Sequence, residues 1–175
     1  MKTFKLPKLI LTDIDGVWTD GGMYYYNDVE EGKKFNVRDG VGALLLKSAG
    51  IPWGIVTGEK SNLIQKRAIK LKCDILLMGV KNKIQAAENL AKDMEIKLSD
   101  IAFVGDEIND VTLLSKVGFS ASPSDACSYV KKHVDVTLKR KGGEGVFKEF
   151  VELILLNGAI LDTTRERALT SFQET

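Results

Sequence analysis

The chain is poor in the residues that several reaction classes need. Of its 175 residues one is a histidine and two are cysteines. A Ser-His-Asp triad could be built only around His133, and no nucleophile-elbow glycine pattern accompanies it. His133 sits in the polar stretch Lys131-Lys132-His133 and reads as an ordinary surface residue. Cys73 and Cys127 lack metal-ligand spacing, and a reducing cytosol would keep them as thiols, so both read as small packing residues. The formal net charge is only +1, so no global field favours nucleic acid or an anionic membrane. The run Lys139-Arg140-Lys141, three residues beside a glycine turn, does not change that. No apolar segment is long enough to span a bilayer, and the N-terminus lacks a signal-peptide apolar region. These absences predict a soluble, cytoplasmic protein with neither a nucleic-acid nor a membrane partner.

What is present is concentrated in one stretch, Leu9-Ile10-Leu11-Thr12-Asp13-Ile14-Asp15-Gly16-Val17. A short apolar run reads as a buried strand. Asp13 and Asp15, two apart, would point to the same side at its end. Two such carboxylates repel and call for a cation, and hard divalent cations such as Mg²⁺ prefer carboxylate oxygens. The stretch therefore predicts a metal site at the carboxyl end of a strand, where open α/β sheets bind ligands. Taken alone, it reads equally as a surface turn rich in Asp and Gly.

The rest of the chain alternates between strand and helix patterns. Strands are expected at 8–12, 52–56, 74–78, 101–104, 118–121 and 134–137. Helices are expected at 41–49, 62–72, 83–94, 110–116 and from about 145 to 156. Strands alternating with helices of about ten residues imply crossovers and a parallel sheet. One segment, about 21–36, breaks the alternation. Gly21 to Asp28 and Glu31 to Asn36 read as a β-hairpin around an Asn-Asp turn. A hairpin is marginal alone, and three consecutive tyrosines cannot all face one side. Some must be exposed in a monomer, which suggests a protein interface; a hairpin folded back on its own domain is the plainer alternative. The length suits one domain, taken as 1–157, with 158–175 as a C-terminal tail, a short helix or frayed.

Three further segments carry chemistry. In Val56-Thr57-Gly58-Glu59-Lys60 a hydroxyl and backbone amides at a helix entry can cradle phosphate, although Thr before Gly is also an ordinary helix entry. In Val80-Lys81-Asn82-Lys83 a lysine opens a helix, where it could neutralise a phosphoryl group. Val104-Gly105-Asp106-Glu107-Ile108-Asn109-Asp110 joins an apolar strand end to a glycine and three acids.

Together these four segments resemble, in order and at strand ends, the motifs of the haloacid dehalogenase superfamily of phosphohydrolases. The resemblance implies a Rossmann-like, doubly wound parallel α/β sheet. It also implies Mg²⁺-dependent phosphomonoester hydrolysis through an aspartyl-phosphate. By position, Asp13 matches the nucleophile, Asp15 the acid and base, and Thr57 and Lys83 the phosphoryl-gripping residues. Asp13, Asp106 and the backbone carbonyl of Asp15 match the metal ligands, and Asp110 the acid supporting them. Glu107 stands where relatives often have Asp, and its longer arm puts a direct metal contact in doubt. Neither interval between the motifs has room for a cap domain, so the chain is expected to be capless, with the hairpin inserted after the first strand.

A narrower resemblance covers about residues 7 to 157. The pattern Asp13-x-Asp15-Gly-Val-x-Thr-Asp-Gly, the hairpin, Phe35-Asn36-Val37-Arg38-Asp39-Gly40 and Gly142-Gly143-Glu144-Gly145 are similar to the capless 3-deoxy-ulosonate phosphate phosphatases. That branch implies a sugar-acid phosphate substrate and a homotetramer built through the hairpins, in which a neighbour covers the site. It implies a role in lipopolysaccharide or sialic acid biosynthesis. The branch's octulosonate enzymes usually show Gly-Arg after the Thr, where this chain has Gly58-Glu59-Lys60, followed by Arg67 and Lys70. That departure leans toward nonulosonate 9-phosphates, with 3-deoxy-D-manno-octulosonate 8-phosphate as the alternative, which Val37-Arg38-Asp39-Gly40 favours. Glu59, Lys60, Arg67 and Lys70 become candidate substrate contacts, although a solvated helix face accounts equally for the two on the helix. A rival of another class is a phospho-acceptor signalling domain. Its acceptor Asp follows a later strand, whereas the double Asp here follows the first.

Overall fold

The computed structural model describes residues 4–26 and 30–173. In chain order it contains β1 (Leu9–Thr12), β2 (Tyr24–Tyr26), β3 (Glu30–Gly32), α1 (Val37–Ala49), β4 (Trp53–Val56), α2 (Asn62–Lys70) and β5 (Ile75–Leu77). There follow α3 (Lys83–Asp93), β6 (Ile101–Val104), α4 (Val111–Leu114), β7 (Phe119–Ser122), α5 (Ser128–Lys131), β8 (Val136–Thr137), α6 (Val146–Asn157) and α7 (Leu161–Gln173). Six strands form one sheet in the order β5-β4-β1-β6-β7-β8, and every pairing in it is parallel.

The central strands β1, β4, β6 and β7 are buried at every residue; β1, β4 and β6 accordingly read as largely apolar runs, while β7 alternates Phe119 and Ala121 with the buried Ser120 and Ser122. Side chains alternate between the two faces. Ile10, Ala102 and Val104 join α1, α2, α6 and α7 in one apolar cluster. Leu9, Leu11, Ile101 and Phe103 join α3, α4 and α5 in the other. The doubly wound sheet is thus covered on both faces by helices, and no cap domain stands among the described residues.

Three helix starts follow from local chemistry. Asn36, Ser61 and Asn82 cap α1, α2 and α3 by accepting the backbone N–H of Arg38, Leu63 and Gln85, a bond that satisfies a donor the helix itself cannot. The cap at Asn36 starts α1 four residues before the expected boundary at 41; Gly40 and Gly42, poor helix formers, mask that start in the sequence. Gly42 lets α6 pass close to α1: a Cβ there would lie 3.1 Å from the Cα of Lys148.

The hairpin is present, with Tyr24 opposite Gly32 and Tyr26 opposite Glu30. Its expected Asn27-Asp28 turn lies outside the described residues. Met23, Tyr24 and Tyr25 are exposed, Tyr25 at 71%. Cys73 is half-buried, with its Sγ 3.1 Å from the Ile75 carbonyl, whereas Cys127 is exposed, contrary to its reading as a packing residue. The segment after 158 is not a frayed tail. It carries α7, whose Leu161 and Ala168 are buried in the same cluster as α1 and α6.

Candidate active site

The order of the sheet places a site before any side chain is considered. From β1 the chain runs to β4 and β5 on one side, then crosses to β6, β7 and β8 on the other. The strand order therefore reverses between β1 and β6, and ligands of open α/β sheets bind outside the carboxyl ends at such a point. Asp13 follows β1 and Asp106 follows β6 by two residues, and the Asp13 N–H donates to the Val104 carbonyl at 3.0 Å. The loop after β1 is clamped from below. Thr12 Oγ1 donates to the Asp13 carbonyl at 2.7 Å and accepts the Trp18 indole N–H at 3.0 Å. Trp18 is fully buried and stacks on Phe147 at 4.6 Å and Trp53 at 5.7 Å.

Around that loop the structure gathers one lysine and three carboxylates. Lys83 Nζ, at the first residue of α3, lies 2.7 Å from Asp13 Oδ2 and 2.6 Å from Asp110 Oδ1. The other oxygen of Asp110 accepts the backbone N–H groups of Asp106 and Glu107 at 3.1 and 3.2 Å. Asp13, Asp106 and Asp110 each offer an oxygen within 4.8 Å of the others. Gly16 passes so close that a Cβ there would run into the Asp106 carboxylate, and its φ of +75° suits glycine besides.

Burial, reinforced by the Asp110 charge and opposed by Lys83, pushes Asp13 up to about 7. Burial and then the charges of Asp13 and Asp110 push Asp106 up to about 8. For Lys83, burial pulls downward, but Asp13 and Asp110 outweigh it and hold the ammonium above its ordinary value. The cluster carries more negative charge than Lys83 can balance. The donors are all oxygens, and Asp106 Oδ1 is buried without a hydrogen-bond partner among the described residues. Such a set fits a hard divalent cation.

Asp15 stands apart from this cluster. Its Oδ1 accepts Lys33 Nζ at 2.8 Å and Thr19 Oγ1 at 3.3 Å. Its Oδ2 is buried and has no partner among the described residues. Asp13, Asp15, Thr57, Glu59, Asp106 and Glu107 all line one open cleft of about 350 Å³. Thr57 is buried, and its Oγ1 accepts the Glu59 N–H at 3.2 Å. Glu107 is outside the carboxylate cluster and bonds the Ile108 N–H at 2.7 Å.

The other expected substrate contacts fall elsewhere. Arg67 donates to the Asn36 carbonyl at 3.1 Å, and its guanidinium lies over the rings of Phe35 and Trp18. The Lys60 side chain lies against Gly79, and Lys70 is exposed at the end of α2; neither lines the cleft. Lys33 and Asn109 were not singled out by the sequence. The partner of Lys33 is 18 residues away, so no local pattern marks it.

The late glycine loop joins the same construction. Asn36 Nδ2 donates to the Gly143 carbonyl at 2.9 Å, and the Gly143 N–H donates to the Val17 carbonyl at 3.0 Å. A Cβ on Gly143, whose φ is +72°, would stand 2.7 Å from the Asp20 nitrogen. Only a glycine loop can lie this close beneath the loop that carries Asp13 and Asp15.

A family model for haloacid dehalogenase-like hydrolases matches residues 72–150. The 3-deoxy-D-manno-octulosonate 8-phosphate phosphatase of Escherichia coli K12 is 34% identical over 162 residues, which is 93% of this chain and 86% of that protein. The Haemophilus influenzae phosphatase of the same name is 34% identical over 148 residues, 85% of this chain and 82% of that one. The crystal structure of the Moraxella catarrhalis phosphatase, in complex with magnesium, phosphate and 3-deoxy-D-manno-octulosonate (KDO), superposes with a TM-score of 0.88 at 33% identity, covering 91% of each chain. The chain belongs to the haloacid dehalogenase superfamily, in its capless 3-deoxy-ulosonate phosphate phosphatase branch.

Proposed function

We propose that the protein is a Mg²⁺-dependent phosphomonoesterase that hydrolyses 3-deoxy-D-manno-octulosonate 8-phosphate through a phosphorylated Asp13. The observation that carries this reading is the meeting of Asp13, Lys83 and Asp110 within 2.7 Å contacts at the strand switch point, with Asp106 beside them. The relatives' substrate supplies the identity of the sugar.

Asp13 attacks phosphorus in line; the new P–O bond forms as the bond to the sugar oxygen breaks. Asp15 gives its proton to that departing oxygen. In the second half, the Asp15 carboxylate takes a proton from water, the water oxygen bonds to phosphorus, and the Asp13–phosphorus bond breaks to release phosphate. Lys83 and Thr57 hold the phosphoryl oxygens, and Asp110 holds Lys83. Bound to Asp13, Asp106 and the Asp15 carbonyl, Mg²⁺ would offset charge on nucleophile and phosphate.

Glu59 supports a second reading. It lines the cleft directly after Thr57-Gly58, where octulosonate enzymes usually carry Arg, and a carboxylate there favours the hydroxyls of a longer sugar acid over a second anion. Phosphate release from the octulosonate 8-phosphate and from nonulosonate 9-phosphates, compared by kcat/KM, tests both. A higher value for the nonulosonates moves the assignment to them, and release from neither refutes the substrate class.

Assembly belongs to the same proposal. The exposed Met23, Tyr24 and Tyr25 support a homotetramer joined through the hairpins, with a neighbour closing the open cleft against water. The cytoplasm is the proposed location; no helix among the described residues is long and apolar enough to cross a membrane.

A further inference from the structure

Lys33 is a buried cation with no place in the chemistry just described. Its side chain is 2% exposed, and its Nζ reaches Asp15 Oδ1 at 2.8 Å and Glu31 Oε1 at 3.4 Å. It follows β3 directly, so the hairpin decides where it points. Ordering and burying a lysine costs side-chain entropy and desolvation, which a surface ion pair seldom returns. The distribution of partners on Asp15 shows what this one achieves. Both bonds, from Lys33 and from Thr19, fall on Oδ1, and Oδ2 is left buried with none among the described residues. With Oδ1 held from two sides and Oδ2 packed against protein, the Asp15 carboxyl group, on a side chain that lines the cleft, is fixed in one orientation.

We propose that Lys33 is a positioning residue that holds the Asp15 carboxyl group in the orientation from which it protonates the departing oxygen, which makes the base of the hairpin part of the catalytic apparatus. This rests on reading Asp15 as the acid. Without Lys33, Oδ1 keeps only the longer bond from Thr19, the carboxyl group turns, and fewer encounters have the proton in line.

The test exploits the leaving group. A sugar alkoxide departs only with a proton, whereas p-nitrophenolate departs without one. The ratio kcat/KM covers steps up to departure of the leaving group, so it isolates the acid role from the later base role. Lys33→Met is expected to lower kcat/KM for the sugar phosphate about 10- to 100-fold, within the range general acid catalysis supplies. For p-nitrophenyl phosphate the loss should stay within about threefold. Lys33→Arg should recover most of the selective loss, and Lys33→Gln should fall between, which keeps the test open should the Met variant not fold. Equal losses on the two substrates, or no loss on the sugar phosphate, overturn the proposal. Asp15→Asn separates the two levels of inference. If it shows the selective loss and the Lys33 variants do not, the positioning role falls while the acid reading stands. If Asp15→Asn loses both substrates equally, the acid reading falls and takes the Lys33 proposal with it.

Discussion

Asp39 in α1 and Lys148 in α6 are joined by a 3.1 Å hydrogen bond from the Lys148 backbone N–H to Asp39 Oδ1. This bond ties the first turn of one helix to the first turn of another, at the point where the glycine loop 142–145 turns into α6. Asp39 is fully buried, and its second oxygen has no partner among the described residues. Burial raises it to about 6, against the lowering effect of the Lys148 and Phe147 N–H groups and of the Arg67 and Arg140 charges.

A stability signature follows from that shift. The folded state binds the Asp39 proton more tightly than the unfolded chain, whose carboxyl titrates near 3.8. Its contribution therefore favours folding most below about pH 4 and is lost as pH rises to about 6. The gap of about two units corresponds to roughly 3 kcal/mol. Asp39→Asn can keep the accepting oxygen but cannot titrate. Urea unfolding of both proteins from pH 4 to 7 should show the Asn variant gaining on the wild type by up to that amount. A difference that does not change with pH would contradict it.

The second prediction concerns the buried lysine. In Lys83→Met, Asp13 and Asp110 lose the cation between them, and each is left a buried carboxylate with one fewer partner. Removing one member of a buried pair typically costs about 3–5 kcal/mol, so the variant should melt well below the wild type at pH 8. Because carboxylates left without their counter-charge can neutralise by protonation, the deficit should shrink at pH 5. Turnover should fall at least about 100-fold, since a phosphoryl contact is lost as well. A variant of unchanged melting temperature would show that Lys83 is not the counter-charge of this cluster.

How much of this was legible beforehand depends on whether the signal is local. The strand ends carrying Asp13, Thr57 and Asp106 could be read because each is an apolar run that stops at a polar residue. The fold followed from their alternation with helices. The placements of Arg67 and Lys33 could not be read. Each is decided by a tertiary partner, Asn36 with Phe35 and Trp18 for one, Asp15 for the other, and a lysine just past a strand looks the same whether it ends in water or on a carboxylate. α7 was obscured for a related reason. Its buried residues Leu161, Thr164 and Ala168 include one polar residue and one alanine, and Leu169 is exposed, so no apolar stripe in the sequence marks the side that packs. The lean toward nonulosonates rests on Gly58-Glu59-Lys60 with Arg67 and Lys70, of which Gly58 and Glu59 line the cleft, while relatives similar over nearly the whole chain are named for the octulosonate 8-phosphate.

The hairpin gives a third prediction. Tyr25 is 71% exposed and Met23 50%, an apolar surface that a monomer has no reason to display beside its cleft. Tyr25→Glu should convert a tetramer to smaller species in light scattering and lower kcat/KM for the sugar phosphate, because the cleft loses its neighbouring cover. The isolated subunit's melting transition should change little. A wild type that scatters as a monomer at micromolar concentration would refute the assembly.

The last prediction joins metal binding to protonation. Asp13 and Asp106 sit at about 7 and about 8 because burial, with the Asp110 charge on both and the Asp13 charge on Asp106, resists ionisation. Magnesium coordinates only the ionised forms, so its binding must expel whatever protons these groups hold. Below about pH 7 both are mostly protonated, and Mg²⁺ affinity should weaken by more than tenfold per pH unit; above about 8 it should level off. Calorimetry in buffers of different ionisation enthalpy should find protons released on Mg²⁺ binding at pH 7 and almost none at pH 9. In Asp106→Asn the proton release should drop by the share of that residue, and the affinity should become weaker at every pH. Binding that is independent of pH from 6 to 9 would mean that the carboxylates at the ends of β1 and β6 do not form the metal site.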